Sequence, residues 1–186
     1  SNSFSWRLLN SFDELVNLVT RWSVVTVDVP IGLLESAEPG GRQCDREARS
    51  LLRTPRRSSV FSPPVRSALS YQDFTAACSA NRKSSLHSIG ISRQCHGLRQ
   101  KIQEADDCMS AKPDLQGRQL DRKNRRLSGN IFEVHPELCF MQLAGHPMQF
   151  SKKKRNGRSE RAEHLLKALP SLASVIEEFR RQPHDG

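Results

Sequence analysis

The stretch SVVTVDV, residues 23–29, decides how this chain is read. Val24, Val25, Val27 and Val29 are β-branched, and a short run of them with little polar alternation marks a strand buried on both faces, as in the middle of a parallel sheet. Upstream, the S-x-x-E spacing of Ser11 to Glu14 is a capping box that opens a helix carrying Leu15, Leu18 and Val19. Residues 4–9, FSWRLL, read as the end of an earlier strand. Strand, helix and strand in that order predict a right-handed crossover, and with it an α/β fold. The valine run stops at Pro30-Ile31-Gly32, so Asp28 stands near the carboxyl end of its strand, where open α/β sheets bind ligands.

A further strand is predicted at Asn130 to Val134. Pro136 is suited to the first position of a helix over Glu137 to Ala144, which Gly145 ends. Glu133 and His135 then share one side of the strand. Residues 43–53 read as helical, 54–64 as a proline-bounded loop rich in Arg and Ser, and Pro64 as the start of a helix through Leu69. One more helix within 71–90 runs into a Ser-rich loop. Cys95, Leu98, Ile102, Ala105 and Met109 then fall at helical intervals in the longest amphipathic segment. Two basic loops, about 110–129 and 151–157, interrupt the pattern before helices at 158–169 and 172–181, split by Pro170. The chain has 186 residues, enough to bury one core, and a single domain is expected.

Lys and Arg number 29 against 20 Asp and Glu, a net charge of +9, which makes a polyanion such as nucleic acid the leading partner class. The five cysteines include no C-x-x-C pair, which argues against a zinc ribbon and a disulfide framework. No apolar run is long enough for a membrane helix, and Ser1 to Arg7 lacks the layout of a signal peptide. A cytoplasmic protein without a membrane partner is expected. No G-x-S-x-G elbow, phosphate-binding G-x-x-x-x-G-K-[ST] loop or G-x-G-x-x-G turn occurs.

What remains is acids on apolar strands beside basic loops. A carboxylate among valines must be hydrogen-bonded, paired or bound to a cation, because an unpaired buried charge costs several kcal/mol or is neutralised. Asp28 meets that need either by capping the turn at Pro30-Ile31-Gly32 or by ligation. Glu133, among Ile131, Phe132 and Val134, repeats the pattern. Side by side, the two would offer Mg²⁺ or Mn²⁺ a hard-oxygen site. His135 is a candidate base or supporting donor, and Glu137, in a first helical turn, either favours the helix dipole or joins the catalytic set. Arg56, Arg57, Ser58, Ser59 and Arg66 form a donor set of the kind phosphate oxygens accept. Lys152, Lys153, Lys154, Arg155, Arg158 and Arg161 form a larger basic patch suited to sequence-independent backbone contact, and Arg42, Lys153, Lys154 and Arg158 complete the candidate substrate contacts.

The ordered stretches VDVPIGL (27–33), CDREAR (44–49), RSSVFSPPVR (57–66), GISRQC (90–95), KIQEAD (101–106), EVHPELCF (133–140) and KKKRNGRSERAEHLL (152–166) resemble the domain-of-unknown-function family 429. That family is described as predicted nucleases of ribonuclease H-like fold, and the resemblance spans residues 24 to 170. It implies a mixed sheet flanked by helices, with acids at strand ends gathering divalent metal for phosphodiester hydrolysis. Asp28 falls on the family's D-x-P-I-G block, and Glu133, His135 and Glu137 on its Glu-x-His-Pro-Glu block. Arg57, Ser58 and Ser59 would line the same cleft. The family's opening G-x-D-G strand, whose Asp would be the first metal ligand, has no counterpart here. Asp185 is a poor substitute for a further acid on a final helix. The sheet is therefore expected to lack its first strand or strands, with a strand exchanged between two copies of a homodimer as an alternative. The expected function is a metal-dependent nuclease. The alternatives are a non-catalytic nucleic-acid-binding module and an enzyme acting on a small anionic metabolite.

Overall fold

The computed structural model describes residues 7–18, 24–115, 118–121, 126–128 and 130–181. Among them are four strands, Val25–Val27 (β1), Arg118–Asp121 (β2), Arg126–Ser128 (β3) and Ile131–Glu133 (β4). The α-helices are Phe12–Leu18 (α1), Gln43–Arg56 (α2), Phe74–Lys83 (α3), Arg93–Gly97 (α4), Arg99–Ala111 (α5), Pro136–Ala144 (α6), Arg155–Ala168 (α7) and Ala173–Arg181 (α8). The valine run does form a strand, and it lies parallel to β4 with Val25 opposite Ile131, Thr26 opposite Phe132 and Val27 opposite Glu133. Val25 N–H donates to Asn130 O and Val134 N–H to Val27 O, extending the pairing past both ends.

The protein is thus mixed α/β and mostly helical. The larger mixed sheet expected from the sequence is not what the described residues form, since β1–β4 and β2–β3 are separate two-stranded sheets. The β2–β3 pair is antiparallel and falls in the segment read as a basic loop. Its strands are short and carry few apolar residues, so they leave little hydrophobic period to detect. Residues 7–9, read as the end of a strand, have no regular structure, while residues 4–6 and residues 122–125 of the basic string lie outside the described residues.

Local chemistry accounts for most helix ends. Ser11 Oγ accepts from Glu14 N–H at 3.1 Å, the predicted cap of α1, although the Glu14 carboxylate reaches back to Asn10 N–H. Asp73 caps α3 through Ala76 N–H, and Ser92 caps α4 through Cys95 N–H. Gly145 adopts the left-handed conformation at φ 78° after α6, where any side chain would be strained. The predicted helix from Pro64 to Leu69 shrinks to a 3₁₀ turn, Arg66–Ala68. Val65 is extended and buried, its N–H bonded to Asn81 Oδ1, and Arg66 N–H is bonded to Leu34 O, so this backbone is committed to neighbours rather than to a helix. Helix α2 runs past its predicted end to Arg56 across a kink at Arg53 and Thr54, and a 3₁₀ turn, Arg57–Ser59, follows it. Gly157, inside the first turns of α7, lies so close to Phe150 O and Ser151 O that a Cβ there would overlap both.

Helix α5 ties the core together. Met109 packs with Val16, Val27 and Ile131 beneath the parallel pair, and Ile102 with Leu33, Leu69 and Cys95. The five predicted helical positions from Cys95 to Met109 are therefore inward-facing, although the segment is broken into α4 and α5 at Leu98. On the other flank, Ala48 and Leu52 of α2 and Val60 meet Leu138 and Met141 of α6. This packing sets α2 and α6 beside the carboxyl ends of β1 and β4. No helix among the described residues is long and apolar enough to cross a membrane.

Candidate functional site

Beyond the ends of β1 and β4 lies a cleft of about 330 Å³, with Asp28, Arg42, Lys101, Glu133, His135 and Lys152 among its lining residues. The site is built around Arg42, the residue before the first turn of α2. Its Nη1 donates to Glu133 Oε2 at 2.7 Å and to Ile31 O at 2.7 Å. Its Nη2 donates to Glu133 Oε1 at 2.6 Å and Asp45 Oδ1 at 2.7 Å, and its Nε to Asp45 Oδ2 at 3.1 Å. All five guanidinium N–H groups are used, the full capacity of an arginine. Asp45 Oδ2 also accepts from Arg42 N–H, and Glu133 Oε2 from Ile31 N–H. Burial pulls the Arg42 pKa down, but the hydrogen bonds and charges of Glu133 and Asp45 outweigh it and hold the group above its ordinary value. A buried, fully satisfied guanidinium thus clamps α2 to the end of β4 and to the loop after β1.

Four carboxylates line the cleft, those of Asp28, Asp45, Glu133 and Glu137. Glu137 is buried, and both its oxygens accept from Arg161 Nη2, at 2.7 and 2.8 Å, joining α6 to α7. Arg161 Nη1 donates to Phe150 O and Gly157 O, so this arginine, expected in the basic patch, is instead buried and spent inside the fold. Asp28 alone of the four makes no hydrogen bond or ion pair with a described residue. It is exposed to the cleft, and its carboxyl is raised above the ordinary value, chiefly because neighbouring groups displace water from it. The negative charge of Glu133 adds to the shift, against the opposing charges of His135 and Lys152.

His135 Nε2 lies 3.1 Å from Ser59 O. A carbonyl oxygen only accepts, so this nitrogen carries a proton, and in the neutral ring Nδ1 is the acceptor. Nδ1 is buried and has no partner among the described residues. The ring is thereby fixed to the 3₁₀ turn after α2, beside Asp28.

The remaining candidates divide. Ser59 lines the cleft, but Arg57 lines a separate hollow, and Ser58 points its hydroxyl at Pro55 O. The expectation that Arg57, Ser58 and Ser59 face one cleft is therefore corrected, because the 3₁₀ turn sends successive side chains to different sides. Arg66 is held by Asp106, with Nε to Oδ2 at 2.6 Å, and by Glu35, and it does not line the cleft. Lys153 and Lys154 are exposed outside the cleft, and Arg158 donates to Lys153 O at 3.1 Å. Arg42, read as a substrate contact, has no donor left for a substrate. Lys101 and Gln94 line the cleft, but sequence reading passed over them. A helical count from Gln94 through Leu98 to Lys101 is the signal that puts the two polar residues together.

Asp28 and Glu133 were expected to share a Mg²⁺ or Mn²⁺ ion. Glu133 instead spends both oxygens on Arg42, and Asp28 stands beside Lys152, a competing cation. Hard cations of this kind need several oxygen ligands. Among the described residues no group of three or more His, Cys, Asp or Glu is placed to hold a metal ion. These residues do not fit a resident divalent ion.

Among the described residues, the fold and cleft define a mostly helical α/β protein with one uncommitted cleft carboxylate set among locked ion pairs. The chain belongs to the family described as Protein of unknown function (DUF429), whose model matches residues 2–185. No curated protein and no solved structure matches it.

Proposed function

We propose that the cleft hydrolyses a phosphodiester, with nucleic acid as the substrate class and Asp28 as the catalytic carboxylate. One observation carries the reading: of the four cleft carboxylates, Asp28 alone has its oxygens uncommitted. A carboxylate with a raised pKa is a stronger base once ionised, and a positioned base of this kind contributes about 10²–10⁴-fold. Asp28 takes a proton from the attacking water as its oxygen bonds to phosphorus, the phosphorus–oxygen bond to the leaving nucleoside breaks, and the leaving oxygen takes a proton from solvent. Lys152 and Lys101 offset the negative charge that builds on the phosphoryl oxygens. His135, fixed by Ser59, holds its ring beside Asp28. Glu133, Asp45 and Glu137 act through structure, by fixing Arg42 and Arg161.

The test is cleavage of end-labelled single- and double-stranded DNA and RNA by the full chain. Wild type is expected to cut at least one of them, and Asp28→Asn to cut it about 100-fold or more slowly. Equal rates for wild type and Asp28→Asn, or no cleavage by wild type, would sink the proposal. A second reading, an enzyme on a small anionic phosphoester, draws on the cleft's size of about 330 Å³, near the lower end of small-molecule pockets. It predicts that a mononucleotide phosphodiester is turned over faster than any polymer.

A further inference from the structure

A second concavity lies along helix α2. This hollow, of about 420 Å³, is lined by Arg46, Arg49, Ser50, Arg53, Thr54 and Arg57. Four guanidinium groups and two hydroxyls line it, and no carboxylate does. Two of the arginines are anchored. Arg46 Nη1 pairs with Glu38 and donates to Gly41 O, while Arg49 donates to Val60 O at 3.1 Å and to Gly40 O. The side chains of Arg53 and Arg57 make no hydrogen bond or ion pair with a described residue. Arg53 also holds φ 49° and ψ −167°. That is an unfavourable backbone for any residue with a Cβ, kept only where surroundings or function demand it. Arg46 is offset by Glu38, but Arg49, Arg53 and Arg57 have no paired carboxylate among the described residues, and an anion in the hollow relieves their mutual repulsion.

We infer that this hollow binds a backbone phosphate of the nucleic-acid strand whose neighbouring phosphodiester lies in the Asp28 cleft. The inference rests on the phosphodiester reading of that cleft. The two concavities share their wall. Asp45 faces the cleft while Arg46 faces the hollow, and on the following turn Ser59 faces the cleft while Arg57 faces the hollow. The two adjoin along α2, where adjacent residues point about 100° apart, so one strand crossing the end of α2 reaches both. Forked guanidinium groups take phosphate oxygens in pairs, and they read backbone rather than base. The hollow would therefore favour a polymer over a mononucleotide without conferring sequence preference.

The experiment is fluorescence anisotropy of a labelled 20-nucleotide single strand against the full chain, over a series of salt concentrations, for wild type, Arg53→Gln/Arg57→Gln and Arg57→Gln alone. Loss of the one bound phosphate is expected to flatten the slope of log K against log salt by about 0.7, and to weaken binding at 0.1 M salt about fivefold. The single variant, which leaves the Arg53 backbone untouched, is expected to show about half the slope change. Unchanged affinity and slope in both variants, or no binding by wild type, would overturn the inference. The outcome is separable from that of the cleft. Should Asp28→Asn cleave like wild type while the arginine variants bind weakly, the catalytic reading fails and the phosphate site stands.

Discussion

Arg42→Met is expected to cost the fold about 3–5 kcal/mol, read as a drop in the urea midpoint with an unchanged slope. The guanidinium is buried and shares five hydrogen bonds with Asp45, Glu133 and Ile31 O. Removing it strands the carboxylate of Asp45, whose side chain is only 4% exposed, without a counter-charge. Glu133 is partly exposed, so water takes over some of its loss, and Asp45 dominates the cost. Adding Asp45→Asn to Arg42→Met should therefore recover stability, because the stranded charge goes with it. A loss under about 1 kcal/mol would show that the clamp is not the joint described here.

Arg161→Met should be of similar size, about 3–5 kcal/mol, at the other wall of the cleft. Arg161 and Glu137 have side chains 8% and 6% exposed, and they pair across α6 and α7. The change leaves Glu137 buried and unpaired, and it removes the donors to Phe150 O and Gly157 O, where the chain passes too close to α7 for anything but glycine. Glu137→Gln should cost less, since a glutamine still accepts one N–H from Arg161. Thermal unfolding of the two variants at matched pH checks the order, and an Arg161 variant as stable as wild type would contradict it.

Both clamps show what a linear reading of this chain finds and misses. Glu133, Glu137 and Asp28 stood out because a charge beside an apolar strand needs a reason, and that rule does not depend on contacts. It does not say which reason applies. The partners, Arg42 and Arg161, lie 91 and 24 residues from Glu133 and Glu137, and nothing local marks them as inward-facing in a chain with 29 basic residues. The helical faces of Cys95 to Met109 and the strand over Val25–Val27 were legible because burial repeats at a fixed period. The hairpin β2–β3 and the extended docking of Val65 were not, because pairing and long-range backbone bonds leave no period behind. The four-arginine face was half visible. Arg46, Arg49, Arg53 and Arg57 follow helical spacing, but Arg57 was grouped with Ser58 and Ser59 by adjacency, before the turn separated them.

Asp28 stands in the cleft uncommitted to any described residue. The most direct test follows the Asp28 side-chain carboxyl carbon by NMR through an acid titration of the folded protein, with Asp28→Asn assigning the signal. The account predicts a midpoint above the ordinary 3.8. A raised value means that ionising Asp28 opposes folding, so its contribution to stability declines as pH rises from 3.8 through the folded midpoint, and Asp28→Asn is spared that decline. A midpoint at or below 3.8 would mean that a cation or hydrogen-bond donor engages the Asp28 carboxylate, which contradicts an uncommitted Asp28.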